Sequence, residues 1–133
     1  MNKLTARIAS ILAFIIGAMA IFAGGQVLLG KLPDYYVIDW LPIYNFSMGV
    51  ISAFISAVLI WKRHRLARTA ALVTLGAHAF VMVILQTAYA DVVAPDSLQA
   101  MTLRITVWVV IGVLTLIPDK ETNTLAAGNG SGE

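Results

Sequence analysis

Four apolar stretches, each about as long as a membrane-spanning helix, constrain this chain more than any other feature. They cover residues 8–29, 43–61, 69–90 and 98–117. A helix needs about 20 apolar residues to cross a bilayer, whereas a barrel strand has about 10 residues and alternates apolar with polar positions. The four stretches are of the longer kind and do not alternate. The sequence therefore predicts an all-α, integral membrane four-helix bundle over residues 1–121.

The composition excludes several classes of function. Of the 133 residues, 59% are hydrophobic and only 12% are charged, which is too little charge to cover a soluble domain of this size. The four stretches leave no room for a separate catalytic domain. The chain has no cysteine, so disulfides, thiolate nucleophiles and Cys-ligated clusters are excluded. A net charge of +2 does not indicate nucleic acid as a partner, and the expected surroundings are the lipid bilayer.

Basic residues are concentrated on one side of the predicted bundle. With four crossings, the N-terminus, the loop over 62–68 and the C-terminal tail fall on that side. Cytoplasmic segments are enriched in Lys and Arg, so we expect both termini in the cytoplasm and the chain in the plasma or inner membrane. The loop could also bind anionic lipid headgroups. The tail over 122–133, rich in Gly, Ala, Asn and Ser, is predicted to be disordered.

The first stretch allows an alternative, a cleaved signal peptide. Lys3 and Arg7 precede it, and Ala18-Met19-Ala20 resembles a cleavage site. The apolar run continues for another nine residues beyond Ala20, which favours a spanning helix.

Small residues recur at helical spacing in the first two stretches. Such ridges let helix backbones approach closely, within one bundle or across a homodimer, and both interpretations are open. The residues are Ala13, Gly17, Ala20 and Gly24 in the first stretch, and Gly49, Ser52, Ala53, Ser56 and Ala57 in the second.

Arg104 lies about two turns inside the fourth stretch. A charge at this depth costs a few kcal/mol, so it is expected to face the bundle and to have a partner. The ion-pair candidates on the same side of the membrane are Asp39, Asp91 and Asp96, with Asp34 nearby. The alternative is that the long side chain reaches the outer headgroups.

His78 lies near the middle of the third stretch. It could ligate a metal or haem, pass a proton, or simply form a hydrogen bond to a neighbouring helix. The other histidine, His64, belongs to the basic loop, and no metal-binding spacing is present. We therefore expect no metal and no resident cofactor.

Several polar side chains reach the outer half of the predicted bundle. They could converge with His78 into a ligand pocket, or serve as interhelical hydrogen bonds. The loop before the second stretch is rich in aromatic residues, which suit either an interfacial anchor or a lid over a cavity. The pocket candidates are Gln26, Tyr44, Asn45, Gln86, Tyr89 and Arg104.

Weak motifs extend along most of the bundle. The first stretch ends in Ala23-Gly24-Gly25-Gln26-Val27-Leu28-Leu29-Gly30-Lys31, the following loop holds Leu41-Pro42, and the second stretch carries Gly49 before a short basic turn. In this layout the chain resembles the DoxX-like group of small four-helix membrane proteins. The resemblance implies a four-helix membrane bundle and a link to membrane redox systems, as a subunit of a thiosulfate–quinone oxidoreductase or as an oxidoreductase-associated partner.

Three functional hypotheses follow. The first is an accessory protein or membrane subunit without a catalytic centre of its own. The second is a quinone- or lipid-binding subunit of a membrane redox system, in which His78 and Arg104 contact the head of the ligand. The third is a small-solute transporter, which the few intramembrane charges and the lack of an internal repeat disfavour.

Overall fold

The computed structural model describes residues 1–118, and these form four long helices. All four are long and apolar enough to cross a membrane, which confirms the predicted helical architecture. The predicted disorder of the tail over 122–133 lies outside the described residues. In chain order the helices are α1 (Lys3–Leu28), α2 (Leu41–Trp61), α3 (Ala67–Thr87) and α4 (Pro95–Leu116).

All four helices begin before the predicted apolar stretches, and the two largest extensions, at the starts of α1 and α4, have a local cause in the sequence. The side chain of Asn2 accepts a hydrogen bond from the backbone N–H of Thr5 at 2.8 Å and caps α1, which therefore begins at Lys3. Pro95 opens α4, at a position where its missing N–H costs nothing. Neither signal changes the number of helices.

The backbones of α1 and α2 are in direct contact. A Cβ atom added to Gly17 would lie 2.7 Å from the Ala53 backbone nitrogen, and one added to Gly49 would lie 2.7 Å from the Gly17 carbonyl oxygen. The small-residue ridges therefore pack within one chain, which favours the bundle interpretation over a homodimer face. All nine ridge residues are buried: Ala13, Gly17, Ala20, Gly24, Gly49, Ser52, Ala53, Ser56 and Ala57.

Helix α2 widens into a π-helical turn over Ile51–Ser56. The backbone N–H of Ala57 bonds to the carbonyl of Ser52, five residues earlier, as a π-helix requires. The Ala57 carbonyl in turn accepts a hydrogen bond from the hydroxyl of Ser10 on α1 at 2.7 Å. This bond ties the widened turn of α2 to α1.

The core consists of two apolar clusters with polar residues between them. The cluster at the end of the bundle that holds the N-terminus, which we call the basic end, is centred on the fully buried Trp108. The cluster at the opposite end, the loop end, contains Leu85 and Met101. Buried His78 and Arg104 lie on α3 and α4 between the residues of the two clusters.

The outer face of the bundle is largely apolar. Large hydrophobic side chains are exposed along every helix, and Phe54 and Phe80 expose 61% and 67% of their surface. A soluble monomer rarely carries so extensive an exposed apolar surface, whereas a lipid-facing bundle requires one.

Candidate functional site

Arg104 is a buried charge deep within α4. Its residue is 6% exposed, and at 1.5 Å per residue it lies about 14 Å along the helix from Pro95. Helical side chains lean towards the N-terminus of their helix, so Arg104 leans towards the loop end. Ala100 and Ser97 lie on the same face of α4, one and two turns closer to the loop end than Arg104.

The partner of Arg104 is an amide. Its Nη1 donates a hydrogen bond to Asn45 Oδ1 on α2 at 2.5 Å. Within residues 1–118 no carboxylate lies within 4.0 Å of the guanidinium. The predicted ion pairs with Asp39, Asp91 and Asp96 are therefore not formed.

The four aspartates of residues 1–118 are exposed at the loop end. Asp96, for example, lies in the first turn of α4, where a negative charge favours the helix N-terminus. Contact with water and, for Asp96, the helix dipole stabilise these carboxylates outside the bundle. The charge of Arg104 is not neutralised, because its partner Asn45 is an uncharged amide.

A small cavity opens beside the guanidinium, with a volume of about 70 Å³. Its polar lining includes Arg104, Asn45 and Ser97, and its apolar lining includes Val27 and Met101. Tyr35, from the loop between α1 and α2, also lines it. This placement favours the lid interpretation of that loop over a purely interfacial anchor.

A row of aromatic side chains extends from the same region. Tyr44 Oη and His78 Nδ1 are 2.8 Å apart in a hydrogen bond between α2 and α3. Trp40 donates its indole N–H to Tyr89 Oη at 3.0 Å, and its ring packs edge-on against both Tyr44 and Tyr89. Tyr44 precedes Asn45 in the chain, so this row adjoins the Arg104–Asn45 pair.

His78 forms an interhelical hydrogen bond, which was one of its predicted alternatives. It is 2% exposed, bonds to Tyr44 and does not line the cavity. Within residues 1–118, no group of three or more His, Asp or Glu side chains is arranged to hold a metal ion.

Of the seven predicted pocket residues, Asn45 and Arg104 line the cavity, whereas five do not: Gln26, Tyr44, His78, Gln86 and Tyr89. Gln86 is exposed, because eight residues after His78 the helix has turned by about 80° away from its face. Leu85 occupies the inward position instead and is fully buried. Gln26 is half-buried outside the cavity wall.

Two polar residues that line the cavity, Ser97 and Tyr35, were not among the predicted pocket residues. Ser97 lies seven residues before Arg104, or two helical turns, and this spacing could have identified it. Tyr35 belongs to an irregular loop, whose path no periodicity predicts.

Comparisons with family models, with curated proteins and with solved structures give no match to this chain. The resemblance to DoxX-like proteins thus stays a prediction, and function has to be argued from the site itself.

Proposed function

We propose that this chain is a multi-pass membrane protein with both termini in the cytoplasm, and that it serves as a small accessory subunit without a catalytic centre. Four spanning-length helices and an apolar outer face support the membrane placement. The basic residues of the loop over 62–68 support the orientation. A DoxX-like relationship is part of the same proposal, because it implies the same bundle and an accessory role.

We further propose that the Arg104 cavity binds the oxygen-bearing head of a membrane amphiphile. The observation that carries this is a buried guanidinium whose partner is uncharged. A charge at the centre of a membrane helix costs roughly 3 kcal/mol, and one interhelical hydrogen bond returns about 0.6 kcal/mol. An anionic oxygen would offset the remaining cost of burying the charge, because it would accept hydrogen bonds from the guanidinium N–H groups that do not bond to Asn45.

The size of the cavity selects the chemistry of that head. About 70 Å³ holds a few water molecules, and hence a carboxylate or a single carbonyl. A cavity that admits a benzene ring is about 150 Å³, roughly twice as large. The site therefore favours a carboxylate-headed amphiphile over a quinone, whose ring would stay outside with only its carbonyl near Arg104.

Binding of palmitate to the purified protein tests this proposal. Hexadecanol, which has the same chain length and no charge, is the matched ligand control, and decylubiquinone tests the quinone alternative. We expect palmitate to bind and to raise the midpoint of thermal unfolding, while hexadecanol does neither. Stronger binding of decylubiquinone than of palmitate would instead support the redox-subunit hypothesis and refute the carboxylate head.

Arg104→Met is the informative variant. Because the partner of Arg104 is uncharged, replacing Arg104 by an apolar side chain of similar volume leaves no unpaired charge behind, and the fold should survive. Arg104→Met/Asn45→Leu also removes the amide that would lose its partner. We expect both variants to lose palmitate, whereas the surface control Arg7→Met retains it. Equal binding by Arg104→Met and the natural protein would refute the proposal.

A further inference from the structure

The basic end of the bundle carries a second cavity, of about 310 Å³, far from Arg104. Its walls come from the turn between α2 and α3, the first turn of α3, the last turn of α4 and Met1. Its polar lining comes from Arg63, His64, Arg65, Arg68, Thr69 and Thr115.

The cationic side chains of this cavity offer only donors. Guanidinium groups have no acceptor, and three of them line the wall. His64 Nδ1 accepts a hydrogen bond from the backbone N–H of Leu66 at 3.1 Å, so the ring proton resides on Nε2, which is left to donate.

Carboxylates are kept away from this cavity in the described part of the chain. All four acidic residues of positions 1–118 lie between Asp34 and Asp96 at the loop end, and none lines the cavity. The three guanidiniums therefore have no internal counter-charge among residues 1–118. An anionic group with several oxygen acceptors is the complement of such a wall.

The backbone adds to the positive potential. Arg63 has a left-handed backbone, with φ of 52°, which closes the turn tightly enough for α3 to begin at Ala67. The backbone N–H of Ala67 donates to the His64 carbonyl at 3.0 Å, and the positive end of the α3 dipole faces the same end of the bundle as the guanidiniums.

We infer that this cavity binds the phosphate of an anionic phospholipid in the adjoining leaflet, an inference that rests on the membrane placement proposed above. Phosphate groups lie at the depth where spanning helices end, as α2 does at Trp61. Trp61 itself is half-exposed with the Arg7 guanidinium 5.7 Å from its ring centroid, an arrangement typical of the headgroup layer. Exposed Leu66 and Leu116 lie beside the lining residues in sequence, where acyl chains would lie.

Native mass spectrometry of the full chain tests this site. The protein is purified in a neutral detergent with equal amounts of phosphatidylglycerol and phosphatidylcholine that carry the same acyl chains. We expect retention of phosphatidylglycerol. A hydrogen bond to a charged group contributes about 1.5 kcal/mol or more, so the loss of two in Arg65→Gln/Arg68→Gln should weaken its retention by roughly 100-fold or more.

The matched control is Lys3→Gln/Lys62→Gln, which removes the same charge from the same end but replaces no lining residue. It should change retention several-fold less. Arg65→Lys/Arg68→Lys keeps the charge and should restore part of the retention, which separates lipid loss from misfolding. Equal losses in the Gln variant and its control would show a diffuse basic surface and overturn the site.

Two further outcomes are distinguishable. If millimolar inorganic phosphate displaces phosphatidylglycerol completely, the cavity is a site for free anions and the lipid inference is refuted. If carbonate releases the chain from membranes, the membrane placement fails, whatever the cavity binds.

Discussion

Replacing Gly49 by alanine should separate α1 from α2. The added Cβ atom would lie 2.7 Å from both the Gly17 carbonyl oxygen and the Ile21 backbone nitrogen. Backbone atoms cannot rotate aside as a side chain does. One helix therefore has to move relative to the other.

The displacement sets the energetic cost. Non-bonded contact begins at about 3.5 Å, so the helices must separate by roughly 0.8 Å, the difference from the observed 2.7 Å. The same movement would stretch the hydrogen bond from Ser10 to Ala57, now 2.7 Å, to roughly 3.5 Å and break it. Overpacking costs typically 1–3 kcal/mol, and alanine recovers up to about 1 kcal/mol of helix propensity. We expect a net loss of about 2 kcal/mol in the free energy of unfolding.

Reversible unfolding in mixed micelles with increasing SDS, followed by tryptophan fluorescence, measures this loss. The fully buried Trp108 reports on the core. Gly76→Ala is the matched control, because a Cβ at Gly76 meets nothing within 4 Å. It should leave stability unchanged or raise it by up to about 1 kcal/mol. Equal stability of the Gly49→Ala and Gly76→Ala proteins would refute the close contact of α1 and α2.

Three further predictions test other parts of the structure. Ser10→Ala should lower the free energy of unfolding by about 0.6 kcal/mol, because it removes the hydrogen bond to Ala57. Ser56→Ala should be neutral or stabilising, since the buried Ser56 hydroxyl has no partner among residues 1–118. The SDS titration measures both variants, and a larger loss of stability in Ser56→Ala than in Ser10→Ala would contradict the hydrogen-bond assignment. Gly24→Ala should lower palmitate binding as well as stability, and unchanged binding would show that the Arg104 site is independent of α1. Because the chain has no native cysteine, Asp34→Cys and Arg65→Cys can each be labelled with an impermeant maleimide in intact cells. We expect labelling at position 34 and none at position 65, and the opposite result would invert the proposed orientation.

The sequence predicted the helices well because the thickness of the hydrocarbon layer fixes the length of each apolar run, which can be read directly along the chain. An apolar run of about 20 residues identifies a helix without reference to its neighbours. The small-residue ridge around Gly17 and Gly49 was visible for the same reason, since helical spacing alone places its members on one face. What the ridge packs against was not visible, because periodicity identifies a face and not its partner.

The candidate site was predicted less completely, because the depth of a residue in the membrane does not specify the direction in which its side chain projects from the helix. Depth placed Asn45, Arg104 and Gln86 together, but the helical turn between His78 and Gln86 directs the glutamine outwards. Charge complementarity likewise favoured an aspartate as the partner of Arg104. The structure pairs it with Asn45 instead, because the aspartates retain their hydration at the exposed loop end.

Packing and the candidate site are coupled through Gly24. A Cβ there would lie 2.7 Å from the Pro42 carbonyl oxygen, 2.8 Å from the Phe46 nitrogen and 3.2 Å from Asn45 Cβ. These atoms belong to the turn of α2 that carries Asn45, the acceptor for Arg104. The contact with α1 therefore fixes the backbone from which that amide projects, and the preceding residue, Tyr44, is held with it against His78. Close packing of two glycine-bearing helices thus determines where the buried charge finds its acceptor, and so where the cavity opens.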